Sequence, residues 1–218
     1  MQKVPFALFD FDKTISRGDS VLPFLFYCIR RGKAPKRQAL RAFHGYVRQK
    51  LHPEEIAIAK EWTLSFLAGR PRAEVEALAR DFWREALTRR VFPKAREEMA
   101  RLHAEGYRIL VVSASASVYM DMQPEFLPAD GVIATACGWD TDDCCNGRVG
   151  ENCKGVQKPL RIAEYLAANH LTLDYDASRA YGDSASDAPM LSLVATPVLV
   201  NAKPGLRKAF PGARMVKW

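Results

Sequence analysis

Apolar residues fall in short unbroken runs at 4–9 and 109–112, each bounded by polar neighbours. Continuous runs of this length predict strands covered on both faces, whereas a half-exposed sheet would alternate. Ala180-Tyr181 closes another short strand before Gly182-Asp183, and Pro197 to Val200 predicts one more. Between these runs the spacing changes to that of helices. Residues 94–105 follow Pro93, end at Gly106, and set Ala95, Met99 and Leu102 on one face. Proline suits a first helical turn and glycine suits a stop. Residues 159–169 place Leu160, Ala163 and Ala167 on one side. Strands alternating with helices predict an α/β core built on a parallel sheet.

Residues 18–90 break the alternation. Ile58, Trp62 and Phe66 form one helical stripe, and Val75, Leu78 and Phe82 form another beyond Gly69-Arg70-Pro71. No strand pattern fits there as well. The expected organisation is a Rossmann-like core domain of residues 1–17 and 91–218, with a helical cap domain, 18–90, inserted after the first strand. Residues 138–153, rich in Asp, Asn and Gly, predict a hairpin or flap. There is no internal repeat and no low-complexity segment.

Three of the predicted strands end in polar side chains: Asp10 with Asp12, Ser113, and Asp183. Ligands of open α/β sheets gather at those carboxyl ends. Lys158 opens the helix that leads to the third. Carboxylates converging beside one lysine and one hydroxyl repel each other unless a cation sits among them. An all-oxygen set with few protein ligands suits Mg²⁺, completed by phosphate and water.

Composition narrows the partners. The chain has 218 residues, 48% hydrophobic and 26% charged, as expected of a globular protein. A net charge of +7 favours anionic partners. The five cysteines include no C-x-x-C pair, and Cys144-Cys145 read as inert loop thiols. No apolar run approaches ~20 residues, and the N-terminus shows no leader pattern, so a reduced, cytoplasmic location is expected. His44, His52, His103 and His170 show no ligand spacing and are expected at the surface.

D-F-D-K-T at 10–14, Ser113, Lys158 and G-D-S-A-S-D at 182–187 together resemble the four ordered motifs of the haloacid dehalogenase superfamily of phosphohydrolases. The helical insertion resembles the cap of the phosphoserine-phosphatase-like branch. The resemblance implies a Mg²⁺-dependent phosphomonoester hydrolase acting on a small phosphorylated metabolite, as a monomer or weak dimer. It implies Asp10 as nucleophile, forming an aspartyl-phosphate, and Asp12 as general acid and base. Ser113 and Lys158 would hold the phosphoryl oxygens. Asp10, the backbone carbonyl of Asp12, and Asp183 would ligate Mg²⁺, with Asp187 and Thr14 supporting them from behind. N-C-K-G at 152–155 resembles the surroundings of the catalytic lysine in some relatives, which makes Lys154 a competitor. Lys158 is preferred for its distance from Gly182-Asp183 and its place at a helix start.

Substrate contacts are less determined. Asp19 lies nine residues after Asp10, where phosphoserine phosphatases place a glutamate that meets the amino group; it reads equally well as a helix N-terminal acid. Ser184 is a second candidate contact. No arginine matches the one that would hold a serine carboxylate. V-L-P-F-L-F-Y-C-I at 21–29 is apolar and R-R-G-K-A-P-K-R follows, with eight Lys or Arg and no acid between Ser20 and Pro53. That pattern fits an anionic membrane surface and resembles phosphatidylglycerophosphate phosphatases of this branch. The plainer expectation is a packed cap helix with a solvated basic end. A catalytically silent nucleic-acid binder would account for the charge but not for the acidic motifs, so no nucleic-acid partner is expected.

Overall fold

The computed structural model describes residues 2–52 and 55–218. Its strands are β1 Gln2–Val4, β2 Phe6–Phe9, β3 Arg108–Ala116, β4 Gly131–Thr135, β5 Cys137–Trp139, β6 Cys145–Val149, β7 Leu171–Leu173, β8 Arg179–Gly182, β9 Thr196–Val200 and β10 Arg214–Val216. Six of them form one parallel sheet in the order β10-β9-β8-β2-β3-β4. The Rossmann-like core expected from the apolar runs is present. β2 shows why its run is unbroken. Phe6 and Leu8 face one buried cluster with Ile162 and Met190, while Ala7 and Phe9 face another with Met99 and Leu102.

The helices between the first and second sheet strands are α1 Val21–Arg30, α2 Gln38–Leu51, α3 Ile56–Leu64 and α4 Arg72–Phe82, the last continuing into a π-helical turn at Trp83–Leu87. α5, Pro93–Ala104, buries Ala95, Met99 and Leu102 as its spacing predicts. α6 is the short Ser117–Met120, and α7 spans Gln157–Ala168. Aromatic side chains join α1 and the turn after α4 to Phe11, just beyond β2, and to Tyr119 of α6. Phe24 lies 5.0 Å from Tyr119, Phe11 meets Trp83 edge-on at 5.6 Å, and the Trp83 indole donates to the Tyr119 carbonyl at 2.7 Å. Full burial of each such ring is worth about 1.5–3 kcal/mol.

β5 and β6 form the predicted hairpin. Its backbone is tied to residues 69–72, between α3 and α4. Gly69 N donates to Cys145 O at 2.7 Å, Cys145 N to Arg70 O at 2.8 Å, and Arg72 N to Asp143 O at 2.9 Å. The Arg72 guanidinium lies 4.0 Å from the centre of the Trp139 ring. No helix among the described residues is long and apolar enough to cross a membrane.

Three expectations are corrected. The strand expected to stop at Val112 runs on to Ala116, with its register against β4 shifted after Val112. The irregular pairing bends residues 113–115 out of the ladder. In α7 the buried residues are Lys158 and Ile162, while Leu160 is 55% exposed and Ala163 and Ala167 face outward. In α3 the buried residues are Ala59, Lys60, Thr63 and Leu64, and Trp62 is exposed. In both helices a lysine lies on the inner face, where periodicity alone predicts none.

Candidate active site

β2 and β8 are neighbours at the centre of the sheet, and the chain leaves β2 for one side before returning on the other. Such a reversal opens a crevice at the carboxyl ends. Asp10 and Asp183 follow these two strands directly. The Asp10 amide is fixed to Tyr181 O at 3.0 Å, and the next turn folds tightly, with Ile15 N and Ser16 N donating to Phe11 O at 2.8 and 2.9 Å. Lys13 takes a left-handed φ of 70° within that turn.

Lys158, 1% exposed, donates to Asp10 Oδ1 at 2.7 Å and to Asp187 Oδ1 at 2.8 Å. The other oxygen of Asp187 accepts from the amides of Asp183 and Ser184 at 3.2 and 3.1 Å and from the Ser184 hydroxyl at 3.0 Å. Only glycine fits at 182, because a Cβ there would come within 2.6 Å of Asp187 Cβ. Oxygens of Asp10, Asp183 and Asp187 lie within 4.8 Å of one another, a group able to hold a metal ion. Both Asp187 oxygens are already engaged, so Asp10 and Asp183 are the better donors. Burial pushes the Asp10 carboxyl up and Lys158 pulls it back; burial and Asp187 raise Asp183. Hard oxygen donors, buried and crowded, fit a small divalent cation.

Asp12 Oδ2 accepts from the Ser115 hydroxyl at 2.5 Å, and Ser115 in turn meets Ser20 at 2.8 Å, which meets the Tyr119 hydroxyl at 3.0 Å. Asp12 Oδ1 and the Thr14 hydroxyl are buried with no hydrogen-bond partner among the described residues. Burial pushes Asp12 up to about 6, against the stabilising Ser115 and Ser20 hydroxyls. Ser113 is buried within β3, three residues before its end, and its Oγ accepts from Ser115 N at 3.0 Å.

These groups open on a cavity of about 540 Å³, walled on the cap side by Val21, Leu22, Tyr46, Ile56 and Lys60. Lys154 reaches the same cavity from an exposed position. Asp19 is held by the Lys13 ammonium at 2.8 and 3.0 Å. Ser184 lines the cavity while its hydroxyl caps the turn at Asp187. No arginine lines the cavity among the described residues.

Sequence reasoning missed Ser115, Ser20, Tyr119 and Lys60. The spacing of S-A-S at 113–115 puts both hydroxyls on one side of an extended chain, a usable signal for Ser115. Lys60 gave none. It donates to the Ala114 carbonyl, to Asn152 Oδ1, and to Thr135 Oγ1 at 3.3 Å. Burial lowers its pKa to about 8, although Asp12 acts in the other direction.

The family model for haloacid dehalogenase-like hydrolases matches residues 7–192. The "Inhibition of morphological differentiation protein" of Streptomyces azureus is 27% identical over 207 residues, which are 93% of this chain and 73% of that one. "Phosphoserine phosphatase SerB1" of Mycobacterium tuberculosis (strain ATCC 25618 / H37Rv) is 27% identical over 92% of this chain and 66% of its own. A crystal structure of a protein of unknown function from Bordetella pertussis Tohama I superposes with a TM-score of 0.86 at 24% identity, over 99% of this chain and 98% of the other. That likeness shows the fold. The chain belongs to the family of haloacid dehalogenase-like hydrolases.

Proposed function

We propose that this phosphatase is a Mg²⁺-dependent phosphomonoester hydrolase that carries the phosphoryl group on Asp10. One observation supports it above others: a buried ammonium bonded to both Asp10 and Asp187, with Asp183 within metal-sharing distance. Three carboxylates around one ammonium leave the site net negative, so a divalent cation would balance it and let a phosphate approach.

Asp10 attacks phosphorus, the bond to the leaving oxygen breaks, and Asp12 donates its proton to that oxygen. Asp12 then takes a proton from water, which attacks the aspartyl-phosphate and releases inorganic phosphate and free Asp10. A carboxyl raised to about 6 can serve in both directions near neutral pH. Ser115 and Ser20 hold Asp12 in place. Ser113 and Lys158 bind the phosphoryl oxygens. Asp10, Asp183 and the Asp12 carbonyl would hold Mg²⁺, which would supply charge neutralisation at the phosphoryl group.

Residues 18–90 act as the cap and shape the leaving-group end of the cavity. Asp19 is engaged by Lys13, no arginine lines the cavity among the described residues, and the cap wall sets Val21, Leu22, Tyr46 and Ile56 beside Gln49, Lys50 and Lys60, so an amino-acid leaving group is disfavoured. A small phosphorylated headgroup with an apolar extension fits better. Rapid quench with a labelled aryl phosphate and Mg²⁺ should leave label on the wild-type chain and none on Asp10→Asn. Turnover without label on the protein would rule out the covalent route.

A further inference from the structure

α2 carries apolar residues on the side away from the molecule. It packs Gln38, Ala42 and Gly45 inward, so near α3 that a Cβ at Gly45 would meet the Ala59 backbone at 3.1 Å. At helical spacing on the opposite side stand Leu40, Phe43, Val47 and Leu51, exposed by 63%, 60%, 39% and 72%. α1 adds Phe26, 54% exposed, while its Phe24, Leu25, Tyr27 and Cys28 are buried. The apolar run at 21–29 is therefore mostly core. The outward stripe belongs to α2, where the sequence pattern did not draw attention to it.

Charge selects what covers this stripe. Arg31 and Arg48 are paired with Glu85 and Glu55. Lys33, Lys36, Arg37 and Arg41 form no ion pair with a carboxylate among the described residues. A second copy would press one basic rim against another, since no acid occurs between Ser20 and Pro53. An anionic bilayer offers acyl chains to the stripe and negative headgroups to the rim. The position also fits: Leu22 of α1 and Tyr46 and Lys50 of α2 line the active-site cavity, so the stripe adjoins its mouth.

We infer that the outer face of α2 seats the protein on an anionic bilayer with the cavity turned toward the headgroups. Resting on the phosphomonoesterase reading above, the substrate is then a lipid-borne phosphomonoester whose chains stay in the bilayer.

The test uses the full chain with phosphatidylcholine vesicles, with and without phosphatidylglycerol. Wild type should sediment with the anionic vesicles only, and less as salt rises. Phe43→Ser with Val47→Ser should weaken vesicle affinity by at least ~10-fold, because apolar insertion is lost. Both positions lie outside the cavity, so aryl phosphate hydrolysis should match wild type and show the variant folded. Phosphatidic acid placed in the vesicles should be hydrolysed by wild type and at least ~10-fold more slowly by the variant. Wild type remaining in the supernatant overturns the docking surface, as does a variant that sediments equally well. A wild-type dimer that the same substitutions split would assign the stripe to a second copy instead. Sedimentation without hydrolysis of phosphatidic acid overturns the lipid substrate. Absence of metal-dependent aryl phosphate hydrolysis would count against the phosphomonoesterase reading, and the sedimentation result would stand apart from it.

Discussion

Lys158 and Lys60 both bury an ammonium beside the same cavity, one from α7 and one from α3, and their surroundings differ in kind. Lys158 meets two carboxylates at 2.7 and 2.8 Å. Burial works against its charge, but Asp10 and Asp187 overcome that cost and hold its pKa above the usual lysine range. Lys60 meets a carbonyl, an amide oxygen and a hydroxyl, none of them charged. Burial prevails there, and the pKa falls to about 8. The charge on Lys158 is thus fixed across the ordinary pH range, as a phosphoryl-binding role requires. The charge on Lys60 is conditional, and it ties the cap to residues 114, 135 and 152.

The largest effect should come from the shared partner of the fixed charge. Asp10→Asn keeps the size of the side chain and removes the nucleophile, so aryl phosphate turnover should fall to background; uncatalysed monoester hydrolysis is too slow to mask the loss, with enhancements reaching ~10²¹ in enzymes. Appreciable activity in a clean preparation would remove Asp10 from the chemistry. Next is Lys158→Ala, which should lower kcat by at least ~10²-fold, the scale for losing a preorganised charge at the transition state. It also strands two buried carboxylates, and breaking a buried pair costs about 3–5 kcal/mol of stability, readable in urea unfolding. Lys154→Ala should be milder on both measures, since Lys154 is exposed. A reversed ranking would transfer the catalytic role to Lys154.

Lys60→Met is the smaller effect and the sharper discriminator. It should lower kcat/KM by about 10-fold through a loosened 113–115 segment, on the scale of one lost charge-assisted hydrogen bond. Its pH signature is distinctive. The folded pKa lies below the ordinary lysine value of 10.5, at about 8, so the unfolded chain binds the extra proton between those two values. Wild-type stability should therefore rise relative to Lys60→Met as pH increases from about 8 to about 10.5. Unfolding curves that keep a constant separation across that window would show Lys60 not to be depressed.

The same two lysines mark where periodicity stopped being informative. Apolar strands were legible because both of their faces are covered, so Phe6 to Phe9 could be read without knowing any neighbour. Helix faces were read by treating lysine as a solvent residue. That grouped Leu160, Ala163 and Ala167 on one side of α7 and Ile58, Trp62 and Phe66 on one stripe along α3 and the turn after it, and gave no sign that Lys158 and Lys60 lie on the buried faces. The short edge strand at Arg214–Val216, with two of its three residues exposed, carried no pattern at all. Asp10, Asp12, Ser113, Lys158, Asp183 and Asp187 were visible as ordered motifs, and the structure gathers them around one cavity or directly behind it. Lys60 and its partners were invisible because their contacts join residues 54 to 92 positions apart, with no local spacing to betray them.

The hairpin's attachment to residues 69–72 bears on how substrate enters. A cap that swung away alone would have to break three backbone hydrogen bonds and the Arg72–Trp139 stack, along with the 3.0 Å bond from Val149 N to Glu61. A cap that swung with the hairpin would keep all of these and bend the chain where residues 137–149 join the sheet, at Ala136 and Gly150, themselves linked at 2.8 Å. Residues 18–90 and the hairpin are therefore joined by their own bonds, and an opening that spares those bonds must carry both together while releasing Lys60 from Ala114 and Thr135.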